Sequence, residues 1–168
     1  MTLKVSIIIA VGVPGKYVEE CIDTLNKLGF KIEDDLELHQ GDSLHTFGTF
    51  SFPKDDKSSP VLTLNKYMFE EPEESIKNTI YHELCHYLVY KDGVKAGVYF
   101  YAELPGKWKY NTTALKKYPA NFWKHHGYKW KEYADRVGRA VRHDITRTNS
   151  YATHTGVGQQ YDKSVKYV

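Results

Sequence analysis

Apolar residues recur at helical spacing at Val18, Ile22, Leu25 and Leu28, and Gly29 ends the pattern. Before them, Leu3–Ala10 is a short apolar stretch that fits a buried strand or a core helix equally well. Residues 34–41 read as a polar connection. Thr46–Phe52 (TFGTFSF) has the composition of a strand, ended by Pro53, and Val61–Asn65 (VLTLN) is a candidate edge strand of the same sheet. The turn-rich stretch 54–60 between them reads as a hairpin loop. The clearest helix follows. Pro72 suits a first helical position, and Glu71, Glu73 and Glu74 favour the positive end of its dipole. Ile76, Ile80, Leu84, Tyr87 and Leu88 form an apolar stripe, and Gly93 stands where the helix is expected to stop. Residues 94–118 are weakly periodic, with a short strand at 98–101. A last helix over 128–142 places Trp130, Tyr133, Ala134, Val137 and Val141 on one face. The pattern leaves open whether residues 120–126 join it, because Gly127 would then be interior. A strand at 164–168 is expected in an otherwise polar tail.

At 168 residues, 41% hydrophobic and 14% aromatic, the chain is long enough for one domain with a proper core and too rich in rings for disorder. The longest apolar run, Val5 to Val13, falls short of the roughly 20 residues of a spanning helix, so no membrane association is expected. Its flanks lack the features of a secretory signal. Two cysteines, Cys21 and Cys85, make neither a disulfide framework nor a four-Cys metal site, and a cytoplasmic setting is expected. Cys85 reads as a small buried hydrophobe.

His82-Glu83-Leu84-Cys85-His86 is the pattern H-E-x-x-H inside the well-marked helix. At about 100° per residue, positions 82 and 86 are about 40° apart around the axis, so both imidazoles can share one metal ion. Glu83 sits about 60° from His86, placed to act as a base on a water without taking a ligand position. A metal-assisted attack on a carbonyl needs such a base. A catalytic site also needs a third ligand and an open position. His126 is in register with Trp130, Tyr133 and Val137 and points at the core side, whereas His125 points elsewhere. Glu103 is the runner-up, and His39, His45, His143 and His154 have no comparable placement. Tyr128 and Tyr81 are candidate oxyanion donors.

His82-Glu-Leu-Cys-His86-Tyr87, preceded by VLTLN and an acidic helix start, resembles the SprT-like metallopeptidases. So does His126-Gly127-Tyr128-Lys129-Trp130, which matches their H-G-x-x-aromatic element. The resemblance spans about residues 14–148 and implies an α+β, zincin-like fold with a small, mainly antiparallel sheet packed on the H-E-x-x-H helix. It also implies one catalytic zinc ion held by His82, His86 and His126, with Glu83 as general base. The expected domain is 1–148, followed by a tail at 149–168. The spacing of His86 and His126 implies an insertion within 92–121. Many relatives carry a four-Cys zinc ribbon, which two cysteines cannot form, and the tail is a candidate remnant of it.

Charge is unevenly spread. Residues 1–106 carry 10 Lys+Arg and 17 Asp+Glu, whereas residues 107–147 carry 11 and 3. In that basic block Lys107, Lys109, Lys116, Lys117 and Lys124 alternate with rings that include Trp123. This is the composition of a single-stranded-DNA surface, and equally of a solvated helix face over buried aromatics. The function expected is a zinc-dependent endopeptidase acting on proteins, with DNA-bound proteins as a candidate substrate class. Two other classes stay open: a nucleic-acid-binding module with a structural zinc, and a metal-dependent hydrolase of a non-protein amide.

Overall fold

The structure, a computed structural model, describes residues 15–42, 46–143 and 145, together with the backbone of 5–7. The expected strand at 164–168, His45 and His154 lie outside the described residues.

Four strands form one sheet in the order β1-β2-β4-β3: β1 (Val5–Ile7), β2 (Leu36–Gly41), β3 (Gly48–Ser51) and β4 (Val61–Asn65). Strands β1 and β2 pair in parallel, as do β2 and β4, and only β3 runs antiparallel, with Phe50 opposite Leu62. The sheet is therefore mainly parallel, not mainly antiparallel as expected, although the fold is α+β in composition. The correction has a local cause. Residues 36–41 are an interior strand rather than a polar connection, and only Leu36 and Leu38 of that strand reach the core. His39, Gln40 and Gly41 dilute an alternation too short to read as a strand. The register also moves Val61–Asn65 inside the sheet and leaves β3 at the edge.

Helix α1 (Gly15–Lys27) buries Val18, Cys21, Ile22 and Leu25, while Leu28 falls past its end and is half exposed. Asn65 ends β4 and caps the following 3-10 turn, Lys66–Glu70. Its Oδ1 accepts from the Tyr67 amide at 2.9 Å, and its Nδ2 donates to the Thr46 carbonyl at 2.8 Å.

Helix α2 (Glu73–Lys95) carries the H-E-x-x-H motif and is the centre of the packing, in contact with α1, β3, β5 (Tyr99–Ala102) and α4 (Tyr128–Val141). It is enclosed on most sides: Tyr81, His82, Glu83, Leu84, Cys85 and Tyr87 are all buried. A single apolar stripe therefore understates it. Gly93 does not stop this helix. It lies within α2, where an added Cβ would come within 2.1 Å of the Tyr99 ring, and termination falls to Gly97 at φ +75°. Phe50 of β3 and Phe52, just past its end, pack on Tyr90, so the edge strand runs along α2. Within the 92–121 span expected to hold an insertion, residues 92–95 finish α2, and the rest includes the hairpin of β5 and β6 (Lys107–Tyr110) and a single helical turn, α3 (Thr112–Leu115). Trp108 anchors the hairpin by donating its indole N–H to the Pro53 carbonyl at 2.8 Å.

His143 closes α4 onto α2. Its amide bonds the Gly138 carbonyl, its Nδ1 donates to Asn78 Oδ1, and its ring packs on Tyr81. Burial lowers the His143 pKa below the ordinary 6.5. Between the two values the unfolded chain binds more protons than the folded one, so stability rises with pH there. The contribution is complete above about pH 6.5 and is lost as pH falls through the folded value. His143→Gln is expected to flatten the acid-side fall of the metal-free protein's Tm between pH 7 and pH 5, measured in parallel melts.

Candidate metal centre

One turn of α2 separates His82 from His86, and both rings face the segment leading into α4. His126 arrives there from the loop before α4. Its Nε2 lies 3.0 Å from Nε2 of His82 and 3.2 Å from Nε2 of His86. Among the described residues these three form a group whose donor atoms all lie within 4.8 Å of one another. At metal–nitrogen distances of about 2.0–2.1 Å, ligands on a tetrahedron stand roughly 3.3 Å apart. A ring nitrogen offers one N–H or one lone pair. Hydrogen bonding can thus serve only one of His126's two contacts well, whereas three lone pairs aimed at one cation serve all of them. The donor set fits a first-row divalent ion, and among the described residues no fourth side chain joins it.

Trp130, fully buried, floors the cluster: its ring centroid lies 4.6 Å from that of His82, 5.4 Å from His86 and 4.5 Å from His126. His125, read as pointing elsewhere, stacks on His86 at 4.5 Å with rings 12° from parallel. The doublet His125-His126 was the available signal for that contact, but spacing alone assigns the two rings to different faces.

The loop that delivers His126 is folded tightly. Asn121 and His126 both take left-handed backbone conformations, at φ +69° and +53°. Such a conformation costs a non-glycine residue about 1–3 kcal/mol and persists only where the surroundings enforce it. Here they do. The Gly127 amide donates to the Lys124 carbonyl at 2.7 Å, and the first amides of α4, at Tyr128 and Lys129, donate to the carbonyls of Asn121 and Phe122. The helix start, which has no side-chain cap, is satisfied by the loop itself. This also settles residues 120–126: they form a loop, not a first turn of α4.

Glu83 is buried, with Gly48 of the edge strand directly above it; a Cβ on Gly48 would come within 3.4 Å of Glu83 Cγ. Neither carboxylate oxygen has a hydrogen-bond partner among the described residues. The Phe50 amide is near, outside hydrogen-bond geometry but favouring the ionised form. Desolvation dominates and pushes the carboxyl well above its usual range.

The other expectations sort by placement. Glu103 is exposed in the hairpin turn and does not join the cluster. His39 contacts Glu37, and His143 is committed to Asn78. Cys85 is fully buried, and burial raises its thiol pKa. Tyr81 is turned toward Cys21 and Thr24 of α1, and Tyr128 is mostly exposed. Lys107, Lys109, Lys116, Lys117 and Lys124 are all exposed. Trp123 is not: at 5% exposure its indole belongs to the core, which corrects its expected role as a base-stacking ring.

Residues 18–98 match the model of the SprT-like family. This segment is SprT-like. It contains β2, β3, β4 and the H-E-x-x-H motif, and ends before His126, whose place rests on the geometry above. No curated protein and no solved structure matches the chain. No helix among the described residues is long and apolar enough to cross a membrane.

Metal binding at the SprT-like motif has a readout independent of activity. At zinc concentrations a hundredfold above Kd, binding to the folded state adds about 2.7 kcal/mol. For a chain of this size that raises Tm by roughly 5–10 °C. A chelator should reverse the rise, and His86→Ala should abolish it.

Proposed function

We propose that the chain is a zinc-dependent endopeptidase that uses Glu83 as general base and His82, His86 and His126 as metal ligands. The observation that carries this reading is the convergence of three imidazole nitrogens on the helix that bears Glu83, beside an edge strand. A bound zinc ion would supply Lewis acidity toward a scissile carbonyl and toward a water. Glu83 takes the proton of the attacking water and passes it to the leaving amine. The positive charge held next to it stabilises the carboxylate that burial otherwise disfavours. Strand β3 receives an extended polypeptide by strand addition, with backbone affinity and little side-chain selectivity.

A group of three histidines with no fourth ligand among the described residues favours an enzyme over a module with a structural zinc, which closes its site with four protein ligands. The edge strand favours a polypeptide over a non-protein amide. The two cysteines, both unpaired and buried, suit a reducing cytoplasm.

The exposed lysines of the hairpin, α3 and the following loop support a second element: single-stranded DNA binds there and brings DNA-bound proteins to the site. The test is cleavage of a DNA-binding protein by the zinc-loaded enzyme, with and without single-stranded DNA. Lys116→Glu with Lys117→Glu should weaken DNA affinity at least tenfold at moderate salt and remove the stimulation. Unchanged affinity would reduce the basic block to a solvated surface.

A further inference from the structure

Beside the candidate metal centre, the segment outside the SprT-like match builds a cavity of about 460 Å³, walled by Tyr110, Leu115, Tyr118, Phe122, Trp123 and Lys124. Three of these, Tyr110, Trp123 and Lys124, also wall a smaller space that reaches His86, His125 and Phe50 of the edge strand. One partition therefore separates the larger cavity from the histidines. Its rings hold one another in place: Tyr118 stacks on Phe122 at 5.1 Å, and Trp123 meets both edge-on at 5.3 and 5.1 Å. Tyr99, whose hydroxyl donates to the Trp123 carbonyl at 2.9 Å, pins this partition to the hairpin.

Resting on the endopeptidase reading, we infer that this cavity is the specificity pocket of the enzyme and takes a large apolar side chain, aromatic or leucine-like, of the polypeptide near the bond to be cut. The size falls within the range of ligand pockets, about 300–1,000 Å³. The wall is apolar and aromatic, and Lys124 is its one charged member. Strand addition on β3 fixes a peptide's backbone while discriminating little between side chains, so the selectivity comes from this cavity. A nucleobase is the other flat occupant, since Asn121, Lys124 and the hydroxyls of Tyr110 and Tyr118 also line the cavity, but the rings together with Leu115, Pro119 and Ala120 favour a side chain without polar edges.

The test uses the full zinc-loaded chain. The buried Trp123 indole N–H reports on the shared partition by nuclear magnetic resonance. A blocked diphenylalanine amide should shift that signal saturably, and the dialanine analogue should not. Leu115→Trp, which fills the cavity, should remove the shift. Tyr118→Ala, which opens a wall, should weaken binding at least threefold and guards against misfolding of the first variant. In cleavage, kcat/KM for peptides with Phe near the cut should exceed that for Ala counterparts about ten- to a hundredfold, and the ratio should fall toward one in both variants. An equal response to both dipeptides, or a response to oligothymidylate alone, overturns the inference. Cleavage without preference overturns the pocket and leaves the endopeptidase reading standing. A Phe-specific shift without cleavage confirms the pocket as a binding site and overturns that reading.

Discussion

Glu83→Gln is expected to abolish proteolysis while leaving metal content unchanged, with a loss of at least a hundredfold in kcat. The substitution keeps the shape of a side chain wedged beneath Gly48 and removes only its ability to take a proton. Because Glu83 is not a ligand in the three-histidine group, zinc stoichiometry and the zinc-induced rise in Tm should match the wild type. His86→Ala should instead lose both metal and activity, which separates the two roles within one turn of helix. Undiminished turnover by Glu83→Gln would end the proposed mechanism.

The second large effect is expected from Gly127→Ala, which touches neither the metal nor the base. A Cβ at this position would fall 2.1 Å from the Asn121 carbonyl oxygen and 2.8 Å from that of Lys124. Both obstacles are backbone, so no rotamer change relieves the clash, and the loop must open. His126 is the adjacent residue and already holds a left-handed conformation only because the loop enforces it. Zinc affinity should fall at least ten- to a hundredfold, as when the groups that orient a ligand are removed. Competition with a chromogenic chelator measures it. The His82–His86 pair should persist as a weak two-ligand site, so the loss should resemble that of His126→Ala. Wild-type affinity in Gly127→Ala would mean that the loop does not place the ligand.

The helix and its motif were legible because a 3.6-residue period and a four-residue spacing are both local. The place of His126 beside the motif histidines was legible for the same reason, since it keeps step with Trp130 and Val137 of the following helix. What escaped the sequence was decided by tertiary neighbours. Gly93 resembles a helix stop until the Tyr99 ring is seen to occupy the space of its missing side chain. Leu36 and Leu38 carry too little pattern to announce a central strand, and the parallel pairing they enter depends on a chain segment far along the sequence. Trp123 shares its composition with exposed rings in the same block, and only the hairpin packed over it determines that it is buried. His125 needed the geometry of the loop before its contact with His86 could be seen.

The loop 121–127 holds His126 near one end and the pocket wall Phe122–Lys124 near the other. Whatever a ligand at either end contributes toward fixing the loop, the other need not contribute again. On the proposed readings of both sites, thermodynamic reciprocity would then have zinc and an apolar peptide side chain strengthen each other's binding by the same factor. Loading with metal and recognition of substrate would in that sense be two measurements of a single ordering equilibrium.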